Sequence, residues 1–135
     1  MPSWYLNQLT LYTSIEQAQK SLAVIMDSSG FNFDLLIPTP NLPNNQIIQW
    51  RKESWGTDRN PIFDSMSKTA EKTHLHFSTS GTDCLPIITA LNARFPNIDM
   101  DYSFDRYDLS KTYQFKKGVL LESETLHSNQ VLTPC

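Results

Sequence analysis

His74 and His76 stand two apart in the run Thr73-His74-Leu75-His76-Phe77-Ser78-Thr79. Side chains on an extended strand alternate between faces, so both imidazoles point to the same side. Two imidazoles on one face are a geometry for a metal pair, provided carboxylates converge from elsewhere. With aspartates added, the pair would define a metal-dependent nuclease or phosphodiesterase. The spacing indicates no third ligand nearby. The plain alternative is two rings on the outer face of a sheet.

A second cluster is acidic. Asp99, Asp101, Asp105 and Asp108 stand against a single Arg106. The first three alternate with Ile98, Met100, Tyr102 and Phe104, so they share one strand face. Carboxylates this close can bind a divalent cation. They can equally present a negative stripe that competes with nucleic acid for a basic groove. On an exposed face or edge, such charges also suppress edge-to-edge pairing.

The third group is Trp50 and Trp55 with Arg51, Asp58 and Arg59. Residues five apart on a helix lie about 140° from one another, so the two indoles cannot form one flat patch. One is expected to anchor its segment in the core. The other, with Arg51 and Arg59, is a contact candidate, because Trp and Arg are enriched at interface hot spots. Trp55, Arg51 and Arg59 are the first of these residues to test.

Other chemistry is thinly represented. Cys84 and Cys135 are too few and too far apart for a disulfide framework. Cys84 reads as a small residue at a helix start, and no histidine near it in sequence would activate its thiol. The chain has no G-x-S-x-G, H-E-x-x-H or C-x-x-C motif, and its 4 glycines form no phosphate loop. No cofactor is expected. With 135 residues the chain fits one domain, and 39% hydrophobic residues supply a core. A net charge of −3 argues against direct nucleic-acid binding. No apolar run is long enough for a membrane span and no secretory leader is read, so a cytoplasmic location is expected.

The elements that must position these groups read as follows. Trp4 to Tyr12 alternates as a strand. Ser14-Ile15-Glu16-Gln17 has capping-box spacing and opens a helix whose apolar stripe runs Ile15, Ala18, Leu22, Ile25 and Met26, with Gly30 as its stop. Phe31 to Ile37 reads as a short strand. Pro38, Pro40 and Pro43 interrupt regular structure. Asn44 to Trp55 reads as a short helix capped by Asn44 or Asn45, with Gly56 just past its end. Thr57 to Lys72 reads as an ordered loop anchored by Ile62, Phe63 and Met66. Thr73 to Thr79 is a strand, Cys84 to Phe95 a helix, and Ile98 to Asp105 a strand. Thr112–Phe115 and Val119–Glu122 form a hairpin about Lys116-Lys117-Gly118, before a polar tail at 123–135. The order predicts an α+β sandwich of the ferredoxin-like split βαβ type over residues 1–135. Its sheet is mainly antiparallel with two helices on one face, and a long excursion at 38–72 separates the two halves.

Four blocks of this chain resemble a known family. They are Trp4 with Asn7 and Leu9-Thr10-Leu11; Trp50-Arg51-Lys52-Glu53-Ser54-Trp55-Gly56-Thr57; Phe77-Ser78-Thr79 with Arg94-Phe95-Pro96-Asn97; and Tyr113-Gln114-Phe115-Lys116-Lys117-Gly118. In that order they resemble the YubB-type ferredoxin-like domain of plasmid and phage proteins, over residues 1–122. Tyr5 departs from the small or cysteine residue expected there. Asp58 and Arg59 replace an expected lysine and aromatic, and Asp58 reverses the charge. The resemblance implies a mobile-element origin, hence a bacterial host cell, and carries no established chemistry.

The leading expectation is therefore a non-catalytic interaction protein. Its partner would be a host protein or protein–RNA complex, and the specific form would be an inhibitor of a defence complex such as a CRISPR effector. Asp99, Asp101, Asp105 and Asp108 would occupy a basic channel, with Trp55, Arg51, Asp58 and Arg59 as further contacts. A homodimer through an exposed sheet face or edge is the other association the pattern allows.

Overall fold

The computed structural model describes residues 4–106 and 109–126. Asp108, Cys135 and the tail from 127 onward lie outside the described residues. In chain order the elements are β1 (Trp4–Tyr12), α1 (Ile15–Leu22), β2 (Met26–Asp27), β3 (Gly30–Phe31), a 3-10 turn (Phe33–Leu35), α2 (Asn44–Ser54), β4 (Ile62–Lys68), β5 (Thr73–Ser80), α3 (Leu85–Arg94), β6 (Asp99–Arg106), β7 (Leu109–Lys116) and β8 (Val119–Leu126).

Six strands form one sheet in the order β4-β5-β1-β6-β7-β8. Every neighbouring pair in it is antiparallel. Among the described residues the architecture is α+β with three α-helices and is compatible with a ferredoxin-like fold. One face of the sheet carries Leu9, Leu11, Leu75, Phe77, Met100, Tyr102, Tyr113 and Phe115. These pack with Ala18 and Leu22 of α1 and with Ile87, Ile88 and Leu91 of α3 in a single core. Period-two alternation in the strands and a period near 3.6 in the helices thus meet in one apolar layer. The turn between β7 and β8 places both Lys117 and Gly118 at positive φ, the twist that a two-residue hairpin favours.

Several expectations are corrected. Helix α1 ends at Leu22, well before Gly30. Ala23, Val24 and Ile25 donate to Gln19, Ser21 and Leu22, so the last turn tightens and closes. Residues 31–37 are not a strand. Phe31 belongs to the two-residue β3, and Asn32 caps the 3-10 turn by accepting from the Asp34 N–H. The Phe33 N–H is taken by Asn60 Oδ1 at 2.7 Å, so no strand partner is needed. Residues 57–72 are not a loop throughout, because β4 lies within them as an edge strand. Its register shifts between Phe63 and Ser65, which breaks the alternation a reader of sequence relies on. Ile62 is exposed rather than anchoring; Phe63 is exposed as well, but its ring meets that of core Phe31 at 6.3 Å, and Met66 packs against the core. Helix α2 begins after Pro43 without a side-chain cap from Asn44 or Asn45.

The excursion is tied down by Trp55. Its indole is fully buried, packs edge-to-face on Phe33, and donates from Nε1 to the Ile37 carbonyl at 2.8 Å. Gly56 follows at φ +88°, and a Cβ there would meet the Asp83 carbonyl oxygen at 2.7 Å. Only glycine suits both the backbone sign and the space. Thr57 is buried next and donates to the Ser80 carbonyl at 2.9 Å. The Trp-Gly-Thr block is therefore a joint between the excursion and the turn that precedes α3.

Candidate functional site

Among the described residues no helix covers the second face of the sheet. Strand β1 presents Leu6, Gln8, Thr10 and Tyr12 there, with β5 adding His74, His76 and Ser78, and β6 adding Asp99, Asp101, Ser103 and Asp105. The register places these side chains in rows. Ser67, His74, Thr10, Asp101 and Gln114 lie across one row, and Ser65, His76, Gln8, Ser103 and Thr112 across the next. The histidines and the aspartates therefore share one face, which the register across β1 settles. They do not converge. β1 lies between β5 and β6, so His74 and Asp101 are two strand spacings apart, about 10 Å.

The histidines contact each other directly. Nε2 of His74 lies 3.1 Å from Nε2 of His76, and the rings meet edge-to-face. Nδ1 of His74 is hydrogen-bonded to Thr10 Oγ1 at 2.5 Å. His76 is exposed, whereas His74 is partly covered. That covering pushes the His74 pKa down, and the nearby charges of His76 and Lys72 add to the effect. Beside His76 lies an open depression lined by Leu6, Gln8, Asp64, Ser65, Phe77 and Asp105.

Each described aspartate of the acidic strand is held. Asp101 accepts from the Tyr12 hydroxyl at 2.5 Å, and Asp105 accepts from the Ser110 hydroxyl. Asp99 accepts from the Lys117 backbone N–H at 3.1 Å. The hydrogen bond to Asp101 pushes the Tyr12 phenol up to about 12, with partial burial and the carboxylate's charge contributing less. Tyr12, Asp99, Asp101 and Lys116 border a second depression at this end of the face. Asp108 falls outside the described residues.

The other candidates lie apart from this face. Trp55 is 0% exposed, so as a surface contact it is corrected: the core, not a partner, takes its indole. Arg51 is stacked over that indole at 4.8 Å from the ring centre and donates to Thr39 Oγ1, which makes it part of the same anchor. Trp50 is partly buried, edge-on to Trp55. Asp58 and Arg59 form an ion pair at 3.0 Å between sequence neighbours, with the Arg59 side chain 55% exposed and that of Asp58 15%. The two tryptophans thus belong with the helix-covered core, while the aspartates belong to the open face.

A buried polar knot lies on the helix side. Asn7 donates to Thr79 Oγ1 at 2.9 Å and to the Tyr5 carbonyl, and accepts from the Tyr102 hydroxyl. Tyr102 in turn accepts the Cys84 N–H at 3.0 Å, which satisfies a donor at the start of α3. Burial pushes the Cys84 thiol well up, so it is protonated and inert at neutral pH. The knot is saturated within itself and has no open face to a ligand.

Sequence reasoning placed the histidines and aspartates on strand faces but missed Thr10, Asp64 and the Tyr12–Asp101 bond. The missing signal was register. Thr10 and His74 are 64 residues apart, and their pairing is fixed only by the sheet. Among the described residues no group of three or more His, Cys, Asp or Glu side chains is gathered to hold a metal ion. No helix among them is long and apolar enough to cross a membrane. Compared with protein-family models, curated proteins and solved structures, the chain finds no match.

Proposed function

We propose that this chain is a non-catalytic interaction module that engages a basic partner surface through its open sheet face. The observation that carries the reading is the row of Asp99, Asp101 and Asp105, fixed by the Lys117 N–H, the Tyr12 hydroxyl and the Ser110 hydroxyl on a face that no helix among the described residues covers. Pre-positioned carboxylates lose little side-chain freedom on binding, so more of each charge contact is retained as affinity. Apolar Leu6 and Ile62, 59% and 53% exposed, supply contact area on the flank of the same face.

The finer fold reading belongs to the same proposal. The order β4-β5-β1-β6, with α1 leading out of β1 and α3 joining β5 to β6, supports the split βαβ arrangement, with β7 and β8 added at one edge. The likeness to the YubB-type domain supports a mobile-element origin and a bacterial host cell. In its specific form the partner is a lysine- and arginine-lined nucleic-acid channel of a host defence complex such as a CRISPR effector, which the aspartates would occupy.

The test is capture from a bacterial lysate by the wild type and by Asp99→Asn/Asp101→Asn/Asp105→Asn, at low and high salt. Asparagine keeps one acceptor oxygen at each position and removes the charge. Capture that falls in the triple variant and with salt is the expected result. Equal capture by both proteins at both salt concentrations would remove the acidic face from the reading.

A further inference from the structure

Independently of the acidic row, we infer that His74 and His76 form a bidentate site for a borderline transition-metal ion, with Thr10 as the residue that orients the first imidazole. The separation of the two Nε2 atoms is the starting point, at 3.1 Å. An ion bound about 2.0–2.1 Å from both nitrogens would subtend an angle of about 95–102° at that separation. That lies between the roughly 90° of square-planar or octahedral geometry and the roughly 109° of a tetrahedron. The strand has set the bite before any ion arrives.

Thr10 supplies the second condition. A metal-bound histidine commonly donates its other ring N–H to a fixed acceptor, which sets the tautomer. The tautomer that frees the Nε2 lone pair of His74 is the one whose Nδ1–H donates to Thr10 Oγ1, and these atoms are in hydrogen-bond contact. Thr10 is itself buried on this face, so its hydroxyl is a firm support. With His74 in this form, the proton between the two Nε2 atoms belongs to His76. Binding moves that proton to Nδ1 of the same ring through solvent, which the exposure of His76 permits. No net charge is gained or lost on the protein.

The donor set fixes the class of ion. Two imidazoles suit copper, nickel or zinc, and they offer little to magnesium or calcium, which take oxygen ligands. Among the described residues no third protein ligand converges on the pair, which leaves the remaining positions to water or to a donor brought by a partner.

Isothermal titration of the untagged full-length chain with Cu²⁺, Ni²⁺, Zn²⁺ and Mg²⁺ tests this. The expected result is one ion per chain, tighter for Cu²⁺ than for Ni²⁺ or Zn²⁺, with no heat from Mg²⁺. Affinity should fall at least about tenfold in His74→Asn and in His76→Asn. Thr10→Val should lose about tenfold, within the range seen for outer-shell partners. His127→Asn, which removes the remaining histidine, should bind as the wild type does. The Cu²⁺ electron-paramagnetic-resonance spectrum should show two coupled nitrogens in the wild type and fewer in either single variant. Absence of Cu²⁺ and Zn²⁺ binding at millimolar concentration would overturn the inference, and so would binding that survives in His74→Asn and His76→Asn but is lost in His127→Asn. Lysate capture by the triple aspartate variant reads the acidic row separately, so the two proposals fail independently.

Discussion

The two faces of the sheet are built from the same strands and by the same alternation, yet they hold their polar groups differently. On the helix-covered face the polar atoms of Asn7, Thr79, Tyr102 and the Cys84 N–H bond to one another and are closed off from water. On the open face Thr10, Tyr12, His74 and Asp101 are also paired, but His76, Leu6 and Tyr12 remain accessible. Burial favours pairing because an orphaned polar group there costs its full desolvation, and Thr73 Oγ1 is a buried group on the covered face that goes without a partner. An open face has no such demand, so pairing there is organisation rather than necessity. The covered face holds the fold together, and the open face keeps side chains accessible.

That contrast can be broken by substitution, and the largest effect is expected on the covered side. Trp55→Ala removes a fully buried indole together with its bond to Ile37, and should cost about 3–5 kcal/mol in urea unfolding. Gly56→Ala should also be severe, since a Cβ would press on the Asp83 carbonyl and on Pro86 Cδ at 2.9 Å. Tyr102→Phe leaves the Cys84 N–H and Asn7 Oδ1 without their partner, and should cost about 1–3 kcal/mol by the same measurement.

Smaller effects on the open face sharpen the comparison through pH. His74 has a lowered pKa in the folded state, so below its ordinary value of 6.5 the unfolded chain takes up a proton that the folded chain resists. Stability should therefore fall as pH drops through and below 6.5, and the slope should flatten in His74→Asn. Tyr12 is the opposite case. Its raised pKa means that the folded chain keeps a proton the unfolded chain loses between 10.0 and about 12. Stability should decline across that window and decline less in Tyr12→Phe. At neutral pH, Asp101→Asn should change stability by no more than about 0.5 kcal/mol, as surface substitutions usually do.

The fold was readable from sequence wherever local pattern and burial coincide. The alternation of β5 and β6, the Ser14 cap of α1 and the Lys117-Gly118 turn all carried their own signal. β4 did not, because an edge strand with a register shift and mostly exposed side chains lacks a buried face to imprint on the sequence. The early end of α1 was hidden for a related reason. Ile25 continues the helical stripe yet is buried from the tightened turn that follows the helix. Of the site, the residue types and their faces were legible, since His74, His76, Asp99, Asp101 and Asp105 follow period two. What was not legible was the pairing of Thr10 with His74 and of Tyr12 with Asp101, which depends on partners 64 and 89 residues away. Trp55 was misassigned as a contact because type and spacing do not say which of two tryptophans is buried.

The central claim is that the open face, and not the excursion, meets the partner. The most direct measurement is quantitative capture from a bacterial lysate by three proteins side by side: the wild type, Asp99→Asn/Asp101→Asn/Asp105→Asn, and Arg59→Ala, each with its unfolding midpoint checked. The expected result is a partner retained by the wild type and by Arg59→Ala and lost from the triple aspartate variant. Retention by the triple variant with loss in Arg59→Ala would contradict the claim and move the contact to the excursion.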